Sequence, residues 1–242
     1  MRLGLISDIH ANLEALNAVL EDMKKQKVDK VHCLGDVIGY GCDPIECLRL
    51  VNENCEVKLM GNHEYAALGL MPSDRLNDIA RESLEWTRQN IGDREIAIIS
   101  DFELEATYEN MLFVHASPYE PENWHYVISM REALASFENF SEKICFLGHT
   151  HIPVIFSLSP EGRLRQTAGH DFLPNGENRY LINIGSVGQP RDNDPRACYV
   201  VFDSEEWSVS FNRVGYDIGK TQEKMSRAEI PSMLIDRLST GR

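Results

Sequence analysis

The stretch Leu3-Gly4-Leu5-Ile6-Ser7-Asp8-Ile9-His10 joins an apolar run directly to a cluster of polar side chains. The apolar run predicts a buried β-strand, and the leucines that recur after it at spacings of three and four predict an amphipathic helix. The same alternation repeats, because Val31–Leu34 and Val57–Met60 are further apolar runs and Pro44 suits the first turn of a second helix. A β-α-β-α-β order of this kind predicts a parallel sheet with helices on its faces.

The second half of the chain is rich in short apolar runs separated by turns. Leu104–Tyr108 and Met111–Val114 flank the turn pair Glu109-Asn110 and predict a hairpin. Further strands are predicted at Ile144–Leu147, Val154–Leu158, Leu164–Thr167, Tyr180–Ile184, Cys198–Phe202 and Val209–Val214. We therefore expect two mixed sheets packed face to face with helices outside, a four-layer αββα sandwich of the α+β or α/β class. One domain is expected over residues 1–242, with a helical, cap-like insertion at approximately 73–99.

Composition and charge narrow the class of protein. The chain has 242 residues, of which 43% are hydrophobic, so it can bury a full core without disulfides or structural metals. A net charge of −14 argues against binding of nucleic acid through a positively charged surface. It does not exclude a phosphorylated substrate, because bound divalent cations would make the local electrostatic potential positive. The six cysteines form no Cys-x-x-Cys pair, and no apolar run reaches the ~18 residues of a membrane span. These features predict a cytoplasmic protein without a membrane partner.

Side chains that bind metals follow the predicted strands. They occur in Ser7-Asp8-Ile9-His10, Gly35-Asp36, Gly61-Asn62-His63-Glu64, at His115, and in Gly148-His149-Thr150-His151. Because the carboxyl ends of parallel strands meet in one crevice, we expect these side chains to converge. An aspartate such as Asp36 can bridge two cations about 3.5–4 Å apart. Oxygen and nitrogen donors without thiolate suit Mn, Fe, Zn or Co better than Mg or Ca, so we predict two divalent metal ions of this group.

Each cluster taken alone also has an ordinary structural explanation. Asp8 could cap the first helix with the help of Asn12, and the histidines of Gly148-His149-Thr150-His151 could simply form hydrogen bonds on a strand. Gly61-Asn62-His63-Glu64 could be a turn that starts a helix. Five such clusters, all at strand ends, are much less expected by chance, and this favours the metal site.

In this order the five clusters resemble the calcineurin-like metallophosphoesterase superfamily, over nearly the whole chain from Ser7 to Arg191. The segments 35–41 and 183–191 are similar to those of compact bacterial and archaeal phosphoesterases, some of them phosphodiesterases. The resemblance implies that His63 protonates the leaving oxygen, so His63 and Asp36 are the expected catalytic residues. It implies two metals, one held by Asp8, His10, Asp36 and His151 and the other by Asp36, Asn62, His115 and His149.

The segment Gly39-Tyr40-Gly41 departs from the related Ser/Thr protein phosphatases, which carry Asp-Arg-Gly at these positions. The arginine that would hold phosphate is missing, as is the aspartate that would orient the acid histidine. We predict that Arg191 grips the substrate phosphate instead, because a guanidinium binds two phosphate oxygens at once. A salt bridge from Arg191 to Asp192 or Asp194 is an equally good explanation. Asn12 is the second predicted substrate-binding residue.

Together these features predict a metal-dependent phosphoesterase, a hydrolase of phosphomonoesters or phosphodiesters with a metal-bridging hydroxide as nucleophile. A nucleoside polyphosphate hydrolase and a Ser/Thr protein phosphatase are alternative enzymes. A non-catalytic metal-binding scaffold on the same fold is the alternative of another class. The expected partner is a phosphorylated small molecule or nucleotide. His32 is interpreted as a core histidine, and Trp124 as a packing residue close enough to line the cleft.

Overall fold

The computed structural model of the chain describes residues 1–71 and 78–242, and within them it contains two β-sheets with helices outside. The strands are β1 (Arg2–Ile6), β2 (Lys30–Cys33), β3 (Val57–Lys58), β4 (Glu105–Tyr108), β5 (Met111–Val114), β6 (Ile144–Leu147), β7 (Val154–Leu158), β8 (Leu164–Ala168), β9 (Arg179–Asn183), β10 (Ala197–Asp203) and β11 (Ser208–Val214). The helices are α1 (Leu13–Lys25), α2 (Pro44–Asn54), α3 (Asn62–Ala67), α4 (Asp78–Asn90), α5 (Asp93–Ser100), α6 (Met130–Phe137), α7 (Ile218–Arg227) and α8 (Ser232–Asp236).

The first sheet has the strand order β11-β10-β1-β2-β3. β1, β2 and β3 run parallel, while β10 lies antiparallel to both β1 and β11. Ile6 stands opposite Cys33 at the carboxyl ends of β1 and β2. The loops that carry Asp8 and Asp36 therefore leave the same edge of the sheet, as the sequence predicted.

The second sheet has the strand order β4-β5-β6-β9-β7-β8. β5, β6 and β9 are parallel, and β7 lies antiparallel to β9 and β8. At the carboxyl ends of β5 and β6, the Gly148 N–H donates a hydrogen bond to the His115 carbonyl at 2.9 Å. This bond fixes the loop after β6 beside the residue that follows β5.

The two sheets face each other across an apolar layer that includes Leu5, Phe113 and Phe202. The outer face of the first sheet is covered by α1 and α2, through residues such as Leu16 and Leu48. The outer face of the second sheet is covered by α6, with Phe137 in the contact. The predicted four-layer αββα sandwich with two mixed sheets is confirmed.

The first helix, α1, shows how the local sequence sets the boundaries of an element. The Asn12 side-chain oxygen accepts a hydrogen bond from the Ala15 N–H at 3.1 Å and caps the helix. Glu14 lies in the first turn and Lys24 and Lys25 in the last, where each charge is favourable for the helix dipole. The helix therefore begins directly after the Asp8–His10 cluster and moves the chain away from the site.

The segment predicted to be helical at approximately 73–99 contains α4 and α5 in its described part, and residues 73–77 lie outside the described residues. The helices are separated at Gly92, whose N–H donates to the Glu95 side chain at 3.0 Å. Both pack against α2, and α4 also packs against α3, so they extend the helical layer outside the first sheet.

The single domain over 1–242 stays a prediction. Within the described ranges no helix is long and apolar enough to cross a membrane.

The third strand is shorter than predicted. The sequence predicts a strand over Val57–Met60, whereas β3 covers only Val57–Lys58. The next two residues bond to different partners, because Leu59 donates to the Cys33 carbonyl at 2.8 Å and Met60 donates to the Glu103 carbonyl at 2.7 Å. The switch of partner ends the ladder just before the Gly61–Glu64 cluster.

His32 lies in β2 and is only 1% exposed, as a core histidine should be. Its two ring nitrogens have no hydrogen-bond partner in the part of the chain that the structure describes, and its ring meets Phe113 edge-on at 5.1 Å. Burial lowers the pKa of His32 to about 4. The unfolded chain therefore takes up a proton near its ordinary pKa of about 6.5 while the folded chain does not, so this group destabilises the fold as the pH falls from about 6.5 towards 4.

His32→Leu removes this acid sensitivity. We expect the free energy of unfolding of the wild type, relative to the variant, to fall by about 2 kcal/mol between pH 7.5 and pH 5, because only the wild type carries the buried imidazole. Urea unfolding of the metal-free proteins at both pH values measures the difference. The exposed His170 serves as control, since His170→Leu should leave the pH dependence as it is. Equal pH dependence in wild type and His32→Leu would contradict the assignment.

Candidate metal centre

The backbone turns sharply at most of the predicted ligands. Asp8, His10, Asp36, His149 and His151 have φ angles of 53°, 48°, 52°, 66° and 61°. The left-handed region costs a residue with a side chain roughly 1–2 kcal/mol, so surrounding contacts must hold it there. Each turn redirects the chain at a strand end and places the side chain towards the space between the loops.

Glu64 holds the loop that carries Asp36. Its carboxylate is fully buried and accepts four backbone hydrogen bonds, from the N–H groups of Asp36 (2.9 Å), Val37 (2.8 Å), Ile38 (3.0 Å) and Gly61 (2.8 Å). Glu64 is not among the site residues predicted from the sequence. Its signal is the spacing of Gly61 and Glu64, since an acidic residue three positions after an N-cap residue reaches back to the cap N–H.

Asp36 lies at the centre of the site. Its Oδ1 accepts a hydrogen bond from the His63 backbone N–H at 3.0 Å. Its Oδ2 lies 3.3 Å from His115 Nε2 and 3.7 Å from His10 Nε2. Asp36 belongs to two groups of side chains whose potential ligand atoms lie within 4.8 Å of one another, one with His10 and His63 and the other with His115 and His149.

Asp8 organises the opposite side of the site. Its Oδ2 accepts the backbone N–H of His149 at 3.0 Å. Its Oδ1 lies 3.3 Å from His151 Nε2 and 3.8 Å from His10 Nε2. Asp8, His10 and His151 form the third group of potential ligands, and all three are buried.

The four histidines predicted as ligands each turn one ring nitrogen to a backbone carbonyl. The Nδ1 atoms of His10, His115 and His151 bond to the carbonyls of Ile38, Leu34 and Gln189 at 3.2, 2.7 and 2.6 Å, and His149 Nε2 bonds to the Trp124 carbonyl at 3.1 Å. A carbonyl only accepts, so each of these nitrogens carries the proton. When a ring is neutral, its other nitrogen keeps a lone pair for a metal.

Several buried atoms of the site are left without a hydrogen-bond partner in the described part of the chain: Asp8 Oδ1, Asn62 Oδ1 and His115 Nε2. In addition, His10 Nε2 and His151 Nε2 face each other at 3.1 Å, although both rings already donate from Nδ1. Unpartnered buried acceptors are costly unless a cation or a proton satisfies them. The donor set therefore fits divalent cations with nitrogen and oxygen ligands.

Charge and burial act against each other on these groups. Burial alone would raise the pKa of the Asp36 carboxyl, but His115 and His63 hold it well below its usual range. Burial would lower the pKa of His115, whereas the Asp36 carboxylate raises it to about 9. For His149, burial prevails and lowers the pKa to about 3. In the metal-free protein, a cation must therefore displace a proton from His115 but not from His149.

His63 follows Asn62 at the start of α3, and its ring lies 4.9 Å from the ring of His10 and 4.5 Å from that of Tyr40. A side chain at Gly39, where φ is +83°, would collide with the His63 ring. Burial lowers the pKa of His63, so its imidazole is largely neutral before substrate arrives. Tyr40 also contacts the His10 ring, at 4.6 Å.

Arg191 lies close to the site. Its backbone N–H donates to the His151 carbonyl at 3.2 Å, and its guanidinium carbon lies 5.9 Å from the centre of the Tyr40 ring. The salt bridges considered from the sequence are not observed among the described residues, because Asp192 pairs with Arg213 and Asp194 pairs with Arg196 at 2.6 Å. Arg191 instead stands beside the tyrosine that replaces the arginine of the protein phosphatases.

Asn12 was predicted to bind substrate, but both ends of its side-chain amide are engaged within the protein. Its oxygen caps α1, and its Nδ2 donates to the Gly188 carbonyl at 2.9 Å. This geometry favours the capping role, and substrate binding by Asn12 stays an untested prediction.

Trp124 is 7% exposed and packs edge-on against Tyr65 at 5.3 Å. The interpretation as a packing residue agrees with this position. Its contribution to the site comes from its backbone, since the carbonyl that orients His149 belongs to Trp124. No sequence pattern indicates this contact, because any residue type can supply a carbonyl.

Comparison with known proteins agrees with this geometry. Residues 1–206 match the family model described as the calcineurin-like phosphoesterase superfamily domain. An uncharacterised protein of Methanocaldococcus jannaschii is 39% identical over 245 aligned residues, which cover 99% of this chain and 98% of that protein. The chain belongs to the calcineurin-like phosphoesterase superfamily. Among solved structures, a metallophosphoesterase from Sphaerobacter thermophilus matches with 36% identity, a TM-score of 0.88 and full coverage of both chains.

A more distant solved structure shows how far the superfamily fold is kept. A hypothetical protein from Pyrococcus horikoshii OT3 has 18% identity and a TM-score of 0.79, with 100% of this chain and 98% of that one covered. At this identity the likeness concerns the fold alone. The predicted family is thus confirmed by the family model and by the closer relatives, independently of the more distant one.

Glu64→Gln tests the support of the Asp36 loop. An amide would turn an NH₂ group towards two backbone N–H donors, so we expect a loss of about 3 kcal/mol in the free energy of unfolding. We also expect lower metal content after reconstitution, because Asp36 loses its fixed position. Glu132→Gln is the matched control, since Glu132 also accepts backbone N–H groups, at Ile128 and Ser129, but lies on α6, which carries none of the predicted ligands. Full metal content in Glu64→Gln would show that this carboxylate does not position Asp36.

Proposed function

We propose that the protein hydrolyses phosphate esters, monoesters or diesters, with two divalent cations. The observation that carries the proposal is the set of buried, unpartnered atoms around Asp36 and Asp8, in a chain of the calcineurin-like phosphoesterase superfamily. A purely structural cluster would pair these acceptors with donors of its own. In this protein the unpartnered atoms are oriented towards one another instead.

In this proposal one cation is held by Asp8, His10, Asp36 and His151, and the other by Asp36, Asn62, His115 and His149. Support comes from the short distances of Asp36 to His10 and His115, and of Asp8 to His151. The donors favour Mn, Fe, Zn or Co. When bound, such a pair of cations supplies hydroxide at neutral pH and stabilises negative charge on the phosphoryl oxygens.

In this proposal the protein's own residues position the substrate and supply a proton. Asp36 and Asp8 hold the ligand histidines in place, which fixes where a phosphoryl group can bind. His63 is proposed to donate its proton to the leaving oxygen. An approaching phosphate dianion favours the charged imidazole, and this opposes the effect of burial on the pKa of His63. The Gly39 backbone gives the ring the room to lie against the site.

The alternatives differ in what they require of the site. A non-catalytic scaffold needs no acid histidine beside the ligands, whereas His63 lies against His10 and Asp36. A Ser/Thr protein phosphatase would use the Asp-Arg-Gly sequence that Gly39-Tyr40-Gly41 replaces. We therefore favour a phosphorylated small molecule or nucleotide as substrate. We also propose a cytoplasmic location, which the six free cysteines support.

Hydrolysis of a panel of phosphomonoesters and phosphodiesters by the manganese-reconstituted protein, with bound metal counted by elemental analysis, tests the function. We expect turnover that depends on the metal and approaches two ions per chain. Two bound ions without hydrolysis of any ester would favour the scaffold over the enzyme.

Asp36→Asn should reduce both metal content and turnover to near background, because one carboxylate is shared by the two proposed sites. Elemental analysis and initial rates on the most active ester of the panel measure the two effects. Asp101→Asn, at an exposed position at the end of α5, is the matched control and should keep both. Two tightly bound metals in Asp36→Asn would exclude a bridging role.

His63→Ala should keep its metals and lower turnover by about 10²–10⁴-fold for esters with poor leaving groups, because protonation of the leaving oxygen is lost. With an activated aryl phosphate the loss should be much smaller. A series of esters with different leaving-group pKa values gives the comparison, and His125→Ala, at an exposed histidine, is the control. The same loss across the series would argue against a proton-donating role.

A further inference from the structure

Two guanidinium groups meet beside the candidate metal centre. Arg191 Nη2 and Arg237 Nη1 both donate to the side-chain oxygen of Gln189, at 2.8 and 3.0 Å. Gln189 is 2% exposed. A neutral amide oxygen is thus the shared acceptor of two positive charges that come from distant parts of the chain.

No Asp or Glu side chain forms an ion pair with either arginine within residues 1–71 and 78–242. The acidic residues that follow Arg191 in sequence, Asp192 and Asp194, pair with Arg213 and Arg196. Arg191 Nε is buried without a hydrogen-bond partner in that part of the chain, and Arg237 Nε donates to the Arg242 backbone oxygen at 2.7 Å. Burial and then the neighbouring Arg191 charge lower the pKa of Arg237. Two adjacent cations without an acidic side chain are unfavourable unless an anion binds.

The pair is connected directly to the residues of the site. His151 Nδ1 donates to the Gln189 carbonyl, and Arg191 donates from its backbone to the His151 carbonyl. The Arg191 guanidinium lies next to Tyr40, whose ring touches the rings of His10 and His63. An anion held by the arginines would therefore be a neighbour of the reacting phosphate.

The C-terminal segment is fixed in this position. Arg237 begins a 3-10 turn (Arg237–Ser239), and Leu238 packs with Met225 and Leu234 in a buried apolar cluster. The Asn193 N–H donates to the Gly241 carbonyl at 2.8 Å. Because these contacts hold the backbone on both sides of Arg237, its guanidinium is directed towards Gln189. Arg237 lies beyond residues 1–206, the part that the superfamily model matches.

We infer that Arg191 and Arg237 form a subsite for a second phosphate group, so that the substrate is a small molecule in which another phosphate lies beside the one that is cleaved. This inference rests on the proposed function. Two divalent cations would carry four positive charges, of which Asp8, Asp36 and the proposed hydroxide offset three. A scissile phosphate dianion and a protonated His63 then bring the sum to zero. Glu64 is compensated by four backbone N–H groups. The two guanidinium charges then remain for a further phosphate, whose oxygens match their paired N–H donors.

Binding of two matched ligands to the manganese-loaded protein tests the subsite without turnover. AMP carries one phosphate, and the non-hydrolysable α,β-methylene analogue of ADP carries a second phosphoryl group. We expect the wild type to bind the analogue at least about tenfold more tightly than AMP by calorimetry, and Arg237→Gln to lose this preference. Arg237→Lys should recover part of it. Arg242→Gln, which removes a charge from the same segment at an exposed side chain that bonds Asn193, should keep the preference.

Kinetics provide the second measurement. Arg237→Gln should lower kcat/KM for a nucleoside diphosphate at least about tenfold more than for p-nitrophenyl phosphate. Equal losses on both substrates, with the binding preference unchanged, would overturn the subsite and leave the phosphoesterase proposal standing. A wild type that hydrolyses no ester but prefers the analogue through Arg237 would overturn the proposed function and keep the anion subsite. If Arg242→Gln loses the preference as fully as Arg237→Gln, fixation of the segment, not the charge at Arg237, is responsible, and the subsite is rejected.

Discussion

The bonds from four backbone N–H groups to the Glu64 carboxylate are the constraint on which the site depends. They join the loop after β2 to the start of α3, two segments that are also connected by the bond from the His63 N–H to Asp36 Oδ1. A buried carboxylate is tolerated only when its oxygens are satisfied, and here all four bonds come from the main chain. The loop can therefore hold Asp36 in a left-handed conformation with its side chain between the histidines. Asn62 and His63 are placed by the same bonds, since they lie between Gly61 and Glu64.

The remaining predicted ligands are held by an analogous use of main-chain groups. Asp8 accepts the His149 N–H, and the loop after β6 is bonded to the end of β5. Each ligand histidine donates one ring N–H to a carbonyl from another segment, such as Ile38 or Trp124. The rings are thus oriented before any cation binds, which reduces the reorganisation that binding requires. The lone pairs and carboxylate oxygens then converge where no other donor reaches.

The surroundings of the centre differ from the sequence pattern of the Ser/Thr protein phosphatases. Tyr40 stands where the protein phosphatases carry arginine, and its ring covers His10 and His63. Arg191, and Arg237 in the C-terminal segment, place positive charge in the same region. A tyrosine and two arginines from separate loops provide a wider cationic surface than one arginine would. This difference is what favours a substrate with more than one phosphate.

The sequence by itself determined the αββα architecture and the superfamily, because buried strands and amphipathic helices leave clear periodicities and the ligand clusters follow the strands in a fixed order. The convergence of Asp8, His10, Asp36, His115, His149 and His151 also followed from the rule that parallel strands share one carboxyl edge. The sequence could not show that β3 ends after Lys58, since its apolar run continues through Met60 and only the pairing with Glu103 interrupts it. It predicted substrate binding by Asn12, which stays untested, and it could not show that both ends of this amide are engaged within the protein. The roles of the Trp124 carbonyl and Arg237 were decided by the tertiary structure alone, because each depends on a contact between distant segments that leaves no periodic or local mark in the chain. The spacing of Gly61 and Glu64 is a local signal for the cap, but only the tertiary structure brings the N–H groups of Asp36, Val37 and Ile38 to the same carboxylate.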